Sequence, residues 1–274
     1  MPIISVVCPT FNSAGFVTRT LESVVNQTRK PDEIIISDDG SSDNTVSVVE
    51  DFFSRGHNDI NWTILRGEHG GAGASRNAAI KRSSGEWIAF IDSDDFWLPN
   101  KLEVVSEAIE KNPDVNIFCH AEEQVGLDGS RHIIDYGKWY DARKPLPAQI
   151  YYRSFFSPSA VTCRRKLLLD AGLFDETILS GLEDFDLWQR ISPSARPLFI
   201  RIPLGYYMDR SGSLIFGGDW DKWKDSMRLA FRYGRRVTPI GMLYYISKVS
   251  AFYALRRFRR LFKDIGSLVV KRSA

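Results

Sequence analysis

Cysteine and histidine are scarce in this chain. Its 274 residues include three cysteines, Cys8, Cys119 and Cys163, and four histidines. Three cysteines are too few for a disulfide framework or a four-thiolate metal site, and the histidines lack metal-ligand spacing, which favours surface or core positions for them. We therefore expect a reducing, cytoplasmic setting.

Long apolar runs and targeting signals are missing as well. No stretch reaches the ~18 uninterrupted apolar residues of a membrane-spanning helix. The N-terminal segment has no positive region before its short apolar run. A hydrophobic fraction of 43% is ordinary for a globular protein and is sufficient for a sizeable core. We predict one large domain, or one domain with an appendage, that is soluble or peripheral to a membrane.

Signatures of several enzyme classes are also absent. The glycine-rich segment 70–73 lacks the Gly-Lys-Ser/Thr ending of a P-loop, and Arg76 occupies the sixth position of a dinucleotide-binding Gly-x-Gly-x-x-Gly pattern. No Gly-x-Ser-x-Gly nucleophile elbow occurs. The glycines remain a candidate anion site at a helix start, with a flexible turn as an equal alternative, and Arg76 favours phosphate contact.

The small net charge of +2 conceals an uneven distribution. From Arg228 to the C-terminus, twelve Lys or Arg residues accompany one acid, Asp264. Such a tail suits the phosphates of lipid or nucleic acid, but it has no nucleic-acid fold signature. Interleaved aromatic residues favour an amphipathic helix on an anionic membrane. Helices packed on the rest of the chain, with a solvated basic face, are the alternative.

Short β-branched runs alternate with helical patterns through the first 120 residues. The predicted strands are 3–8, 33–37, 62–65, 87–91 and 115–120. This alternation predicts an α/β fold, an open, mostly parallel twisted sheet with helices on both faces. The segment 121–215 is less regular, and 219–263 is typical of two helices broken near Pro239.

Acidic clusters follow two of these strands. Asp92 and Asp94 come directly after an apolar strand, where alternate side chains point the same way, so they could share one Mg²⁺ or Mn²⁺ with substrate phosphates. The alternative is a helix N-terminus, which also collects acids. Asp39 follows the second strand and could accept hydrogen bonds from a nucleobase or ribose, with an Asx-turn as the alternative.

A third acidic group begins a predicted helix. Glu183, Asp184 and Asp186 precede Trp188 on it. A carboxylate at the start of a helix that faces the ligand edge of the sheet could act as a general base. An amphipathic helix with a charged first turn is an equal alternative.

Taken in order, these segments resemble the family 2 glycosyltransferases, inverting sugar-nucleotide enzymes with the GT-A fold. The matching segments are 9–12, 37–43, 74–80, 85–95, 164–176 and 183–188. The resemblance implies a catalytic domain over 1–215, with a nucleotide-sugar half at 1–120 and an acceptor half at 121–215. The basic helical extension would be 216–274. Acceptor specificity would lie in 121–182 and 205–220.

The resemblance also implies a role for individual residues on the donor side. Residues of the sugar-nucleotide site would be Pro9, Thr10, Phe11, Asp39, Arg76, Asp92, Ser93 and Arg210. Thr10 and Phe11 would flank the base, and Asp39 would hydrogen-bond it. Arg76 would lie near the ribose-diphosphate. Asp92 and Asp94 would form the family's Asp-x-Asp motif, with Mg²⁺ or Mn²⁺ as cofactor.

On the acceptor side, the resemblance implies that Asp184 is the catalytic base, next to Glu183 and Trp188. One position departs from the family pattern. Where many relatives carry a metal- or diphosphate-binding His, this sequence has Arg210. Because arginine cannot ligate a cation, we predict that it contacts the diphosphate instead.

The implied activity is metal-dependent, inverting transfer of a sugar from a nucleoside diphosphate, with UDP the expected nucleotide, to a glycan or lipid-linked acceptor. A peripheral position on the cytoplasmic face of a membrane would fit the basic tail. The alternative from another class is a non-catalytic module that binds a nucleotide at the sheet edge and nucleic acid through the tail. Its acids would then repel phosphate without a metal, so we expect no nucleic-acid partner.

Overall fold

A computed structural model describes residues 1–56, 60–210 and 219–272, with side chains up to residue 256. Its strands are β1 (Ile4–Thr10), β2 (Glu33–Asp38), β3 (Trp62–Arg66), β4 (Trp87–Phe90), β5 (Phe96–Trp97), β6 (Ile117–Val125), β7 (Arg131–Ile134), β8 (Val161–Arg164) and β9 (Pro197–Met208). Its helices are α1 (Val17–Val25), α2 (Thr45–Ser54), α3 (Gly71–Arg82), α4 (Lys101–Lys111), α5 (Leu146–Tyr152), α6 (Arg165–Asp170), α7 (Glu183–Ile191), α8 (Asp219–Arg232) and α9 (Pro239–Arg272).

All nine strands form one sheet in the order β3-β2-β1-β4-β8-β6-β9-β5, with β7 paired to β6. The first four strands in this order are parallel. Strand β8 is antiparallel to both β4 and β6. The expected α/β architecture and all five expected strands are confirmed. However, the fifth, β6, is separated from β4 by β8, and the sheet is mixed.

Strand β9 was not predicted, because Pro197 and Pro203 interrupt its pattern. Proline removes a backbone donor and is tolerated inside a sheet mainly at irregular positions. The pairing of β6 with β9 shifts register on both sides of Ala121, and Pro203 pairs at that residue. The irregular pairing therefore accommodates the proline within a 12-residue strand.

The two faces of the sheet carry separate cores. In β1, Val6 and Cys8 pack into one apolar cluster, with α1, α2 and α4, and Val7 packs into the other, with α3, α6 and α7. In β2, Ile35 joins the cluster of Val7. This alternation follows from the two-residue period of a strand. It fixes which side of the sheet each helix covers and places the starts of α3 and α7 at one edge.

Helices α8 and α9 pack on the rest of the chain. Leu229 and Tyr233 are buried with Tyr151 of α5, in a cluster that Met242 and Tyr245 of α9 adjoin. Asp186 of α7 is also tied to α8 and the residue after it, by Arg232 at 2.7 Å and by the Tyr233 hydroxyl at 2.6 Å. The helix break falls before Pro239, as the sequence predicts. Among the described residues, none of the helices is long and apolar enough to cross a membrane.

Candidate active site

The carboxyl ends of β1, β2 and β4 meet at one edge of the sheet, where the predicted site residues lie. Asp38, the last residue of β2, accepts hydrogen bonds from the Thr10 hydroxyl at 3.0 Å and from the Ser41 backbone at 2.9 Å. Pro9 is buried in β1, opposite Ser37 of β2. Pro9 and Thr10 are therefore fixed parts of the edge, positioned by the pairing of the two strands.

Asp39 follows β2 directly and is hydrogen-bonded to the start of α3. Its carboxylate accepts the backbone N–H groups of Gly70 at 2.8 Å and Gly71 at 2.9 Å. The Nδ1 atom of His69 lies 2.8 Å from the same carboxylate. Asp39 therefore organises the glycine turn that opens α3, a role that differs from the Asx-turn considered as the alternative to contact with a base.

An aromatic pair stands beside Asp39. The rings of Phe11 and His69 are stacked, with centroids 4.3 Å apart and planes 23° from parallel. Phe11 is 44% exposed, so this surface is open to a planar ligand. His69 is exposed, which is one of its two expected positions, but its contacts with Phe11 and Asp39 were not predicted. The only signal was its position directly before the glycine segment.

Arg76 lies at the centre of the site, on α3. Its guanidinium is buried between the Asp92 carboxylate, at 2.7 Å, and the Glu183 carboxylate, at 2.8 Å. The two negative charges raise the pKa of Arg76, so it stays charged despite its burial. Arg76, which was expected near a ribose-diphosphate, thus forms a bridge between the end of β4 and the start of α7.

Asp92, Ser93, Asp94 and Asp95 differ in what they contact. Asp94 pairs with Arg210 at 2.8 Å, and the Arg210 guanidinium lies 3.6 Å from the ring centroid of Phe16. The Ser93 hydroxyl bonds that of Ser13 at 2.8 Å.

Asp95 turns inward. It is buried and accepts hydrogen bonds from the Ser159 hydroxyl at 2.6 Å and from the Met208 backbone at 3.0 Å. Helix α4 begins later, at Lys101, after Asn100. The acids from Asp92 to Asp95 therefore do not cap it, which removes the alternative that the sequence left open.

Asp92 and Asp94 have the chemistry of a shared cation site. In the described part of the chain, no three His, Cys, Asp or Glu side chains are grouped to hold a metal. Mg²⁺ and Mn²⁺, however, are commonly held by one or two carboxylates while substrate phosphates complete the coordination. Burial and the charge of Asp92 raise the pKa of Asp94, a sign of negative charge that Arg210 only partly balances. These residues fit a cation held jointly with a diphosphate.

Asp184 is the second residue of α7 and is half-buried beside Glu183. Burial and the charge of Glu183 raise its pKa to about 7, and the nearby charge of Arg76 opposes the shift. A carboxyl group that titrates near neutral pH is matched to accept a proton from a hydroxyl group as a general base. Its position and its raised pKa therefore support Asp184 as the candidate base.

Trp188, expected on the acceptor side, lies elsewhere. Its side chain is fully buried and packs against Phe90, Phe156 and Phe174. It falls one turn after Asp184 on the face of α7 that covers the sheet, so in this structure it is a core residue. Glu183 is likewise engaged, through its ion pair with Arg76.

This mixed sheet has the GT-A fold of glycosyltransferases, with acids gathered at the ends of β2 and β4 and at the start of α7 and two arginines, Arg76 and Arg210, paired with them. The chain matches the family described as Glycosyl transferase family 2 over residues 5–170. It belongs to that family. Membership favours a transferase over the non-catalytic module that the sequence left as an alternative.

The chain is similar to characterised and uncharacterised bacterial proteins. It is 38% identical over 198 residues to "UDP-Glc:alpha-D-GlcNAc-diphosphoundecaprenol beta-1,3-glucosyltransferase WfgD" of Escherichia coli, covering 69% of each chain. It is 30% identical over 213 residues to an uncharacterised glycosyltransferase of Haemophilus influenzae, covering 74% of this chain and 67% of that protein. In other relatives the match is a smaller part of a longer chain, such as 27% of Escherichia coli chondroitin synthase.

Solved structures share the fold at lower identity. The N-terminal part of S. aureus TarS, in complex with UDP-GlcNAc, superposes with a TM-score of 0.70 at 23% identity, over 90% of this chain and 71% of that one. A mannosyltransferase from Pyrobaculum calidifontis, in complex with GDP-Man and Mn²⁺, superposes with a TM-score of 0.62 at 19% identity, over 92% of this chain and 70% of that one.

Proposed function

We propose that this glycosyltransferase moves a sugar from a nucleoside diphosphate to a hydroxyl group of a lipid-linked or glycan acceptor, with inversion at the anomeric carbon. We expect the nucleotide to be UDP. One observation carries the proposal. The candidate base Asp184 is next to Glu183, which Arg76 ties to Asp92 of the Asp-x-Asp motif. The activity in the name of the Escherichia coli relative supports a UDP-sugar donor and a lipid-linked acceptor.

In the proposed mechanism the donor lies along the sheet edge. Phe11 and His69 provide a stacking surface for the base, beside Asp39. Asp92 and Asp94 would hold Mg²⁺ or Mn²⁺, which supplies charge stabilisation for the departing diphosphate when bound. Arg210, beside Asp94, would place its guanidinium against the same phosphates.

The acceptor hydroxyl would lose its proton to Asp184 while its oxygen attacks the anomeric carbon. The bond from that carbon to the nucleoside diphosphate breaks in the same step, so a single displacement inverts the configuration. No enzyme nucleophile is needed. Arg76 would fix the position of Asp184 relative to the donor. Its guanidinium donates hydrogen bonds to Glu183, the residue before Asp184, and to Asp92.

We also propose that the C-terminal helices rest on an anionic membrane surface. The face of α9 that points away from the rest of the chain exposes Ile240, Leu243, Tyr244, Phe252 and Leu255. Exposed Lys248 lies between Tyr244 and Phe252 on that face. Apolar side chains with interleaved positive charge suit lipid headgroups of negative charge. A membrane position would bring the enzyme close to a lipid-linked acceptor.

A panel of UDP-, GDP- and dTDP-sugars tests the transferase itself. We expect one or more donors to be cleaved slowly by water and faster with an acceptor, in a reaction that EDTA suppresses and Mn²⁺ restores. The anomeric configuration of the product, read by proton NMR, should be opposite to that of the donor. Absence of cleavage with every donor, with and without acceptors, would contradict the proposal.

A further inference from the structure

A cavity of about 240 Å³ lies between α7 and the C-terminal helices. Asp184, the candidate base, lines it together with Leu182 and Phe185. Ser226 and Leu229 of α8 and Tyr245 of α9 also line it, with Ser154 and Gly181. The C-terminal helices therefore reach the candidate base itself, although the sequence placed acceptor recognition in 121–182 and 205–220.

The lining of this cavity matches the surface of a sugar. A pyranose has an apolar C–H face, which packs on aromatic rings, and a rim of hydroxyl groups. Phe185 and Tyr245 offer rings, Ser226 offers a hydroxyl, and Asp184 offers an acceptor for one proton. A preformed pocket with few polar groups is typical of small-ligand sites.

The size of the cavity limits how much of an acceptor can enter it. Its volume of about 240 Å³ lies slightly below the ~300–1,000 Å³ of pockets for drug-sized ligands. We therefore expect it to take one sugar ring, with the remainder of a lipid-linked acceptor outside it.

Tyr245 is held in place by the catalytic part of the chain. Its ring lies 4.9 Å from that of Tyr151 of α5, between centroids, and the Tyr151 hydroxyl donates to the Ala230 backbone at 2.9 Å. The position of Tyr245 is therefore set by α5 and α8 together. A rigid aromatic wall of this kind selects a ligand by shape.

We propose that this cavity seats the terminal sugar ring of the acceptor, with Tyr245 as a specificity-determining residue supplied by the C-terminal extension. The inference rests on the proposed transferase activity. It assigns α8 and α9 a second role, as a wall of the active site as well as a surface for lipid. It also gives Asp184 a specific substrate hydroxyl, on the ring held between Phe185 and Tyr245.

The test compares Tyr245→Ala with Tyr253→Ala, a tyrosine two turns further along α9 that does not line the cavity. Both are assayed with a panel of aryl glycosides and with GlcNAc-diphosphoundecaprenol. For each acceptor used by the wild type, Tyr245→Ala should raise the acceptor KM by about tenfold or more. The Kd for the donor should stay the same. Tyr253→Ala should resemble the wild type in both measurements, and equal acceptor KM values in the two variants would overturn the inference.

Ser226→Phe provides an independent test, because it fills the cavity without removing the packing of Tyr245. Transfer to sugars should be lost, while the Kd for the donor, measured by calorimetry, should stay at the wild-type value and circular dichroism should show a folded chain. Undiminished transfer in this variant would contradict the cavity assignment. So would a wild-type enzyme that hydrolyses donor but glycosylates no glycoside of the panel. Failure to bind or cleave any sugar nucleotide would instead contradict the proposed function.

Discussion

Arg76 and Glu183 form a buried ion pair at 2.8 Å, although 107 positions separate them in the chain. The same guanidinium holds Asp92 at 2.7 Å. Three segments, the middle of α3, the end of β4 and the start of α7, therefore meet at one cation. Breaking a buried pair leaves an uncompensated charge behind, so this contact is sensitive to substitution at either partner.

The first prediction concerns Arg76→Gln, which removes that charge. We expect a loss of about 3–5 kcal/mol in the free energy of unfolding, the usual cost of breaking a buried ion pair. The midpoint of the pH–kcat profile should also move to higher pH, because the charge of Arg76 lowers the pKa of Asp184 in the wild type. Urea denaturation and a pH–rate profile measure the two effects. Arg82→Gln, an exposed substitution on the same helix, should change neither.

If Arg76→Gln fails to fold, Arg76→Lys keeps the charge but loses the two-pronged geometry. We expect this variant to fold and to keep the wild-type pH profile, with weaker donor binding. A pH profile that shifts as far in Arg76→Lys as in Arg76→Gln would contradict an electrostatic link to Asp184.

The second prediction is that Asp184→Asn abolishes transfer. The amide cannot accept the proton of the acceptor hydroxyl, and general-base catalysis is worth about 10²–10⁴-fold in rate. Donor binding, measured by calorimetry, should be nearly unchanged, because the loss falls on the transition state. Full activity in this variant would refute the assignment of Asp184 as the base.

The pH dependence of the wild type gives a third prediction. The base acts in its ionised form, and the pKa of Asp184 is about 7, raised first by burial and then by the charge of Glu183. The rate should therefore be full well above pH 7 and fall about tenfold for each pH unit well below it. Glu183→Gln should move the midpoint to lower pH, the direction opposite to Arg76→Gln. A flat profile between pH 5 and 8 would be inconsistent with this carboxyl as the base.

The fold was more predictable than the contacts within the site. The strands β1, β2 and β4 are buried along their whole length, and short apolar runs in the sequence report such burial directly. By contrast, β9 carries Pro197 and Pro203, and its irregular pairing depends on β6, a distant segment. No local pattern encodes that pairing. Strand β8, which separates β4 from β6, was not predicted either, since it is only four residues long.

Within the site, the sequence identified residue types better than their partners. The Asp-x-Asp motif and the acids of α7 were visible as unusual clusters after apolar runs. The bridge from Arg76 to Glu183 was not, because it depends on how α3 and α7 pack on one sheet face. Trp188 shows the opposite error. An aromatic near catalytic acids suggests a binding surface, but helical periodicity turns this one toward the core.

The fourth prediction tests the paired charges at the proposed cation site. Asp94→Asn should weaken donor binding in Mn²⁺ by about tenfold or more, because one of two carboxylate ligands is lost. In EDTA the variant should bind the donor at least as well as the wild type, because one charge that repels the diphosphate is gone. Calorimetry with and without Mn²⁺ provides both comparisons. Asp51→Asn, at an exposed position on α2, is the control and should behave as the wild type.

Arg210→Ala examines the other half of that pair. Removal of the guanidinium takes a positive group from the proposed diphosphate site, so donor affinity should fall by about tenfold, within the range for a lost charged contact. Asp94 would also lose its counter-charge. Unchanged donor affinity and rate in Arg210→Ala would contradict its assignment to the diphosphate.

The fifth prediction concerns the outer face of α9. Deleting everything after residue 227 would be a poor test of membrane binding, because it removes the buried residues Leu229 and Tyr233 as well. Leu243→Glu combined with Phe252→Glu leaves the inner face intact and changes only exposed apolar side chains. We expect this variant to cosediment far less with vesicles of anionic phosphatidylglycerol than the wild type.

Each Lys or Arg near such a surface contributes about 1 kcal/mol, so binding of the wild type should also weaken as salt rises. Transfer to a water-soluble acceptor should be the same in the variant and the wild type, since neither substitution lines the cavity at Asp184. With a lipid-linked acceptor in vesicles, the variant should be slower. Cosedimentation equal to the wild type would mean that the exposed apolar face of α9 does not bind lipid. Its basic residues would then serve only as a solvated surface on helices packed against the catalytic fold.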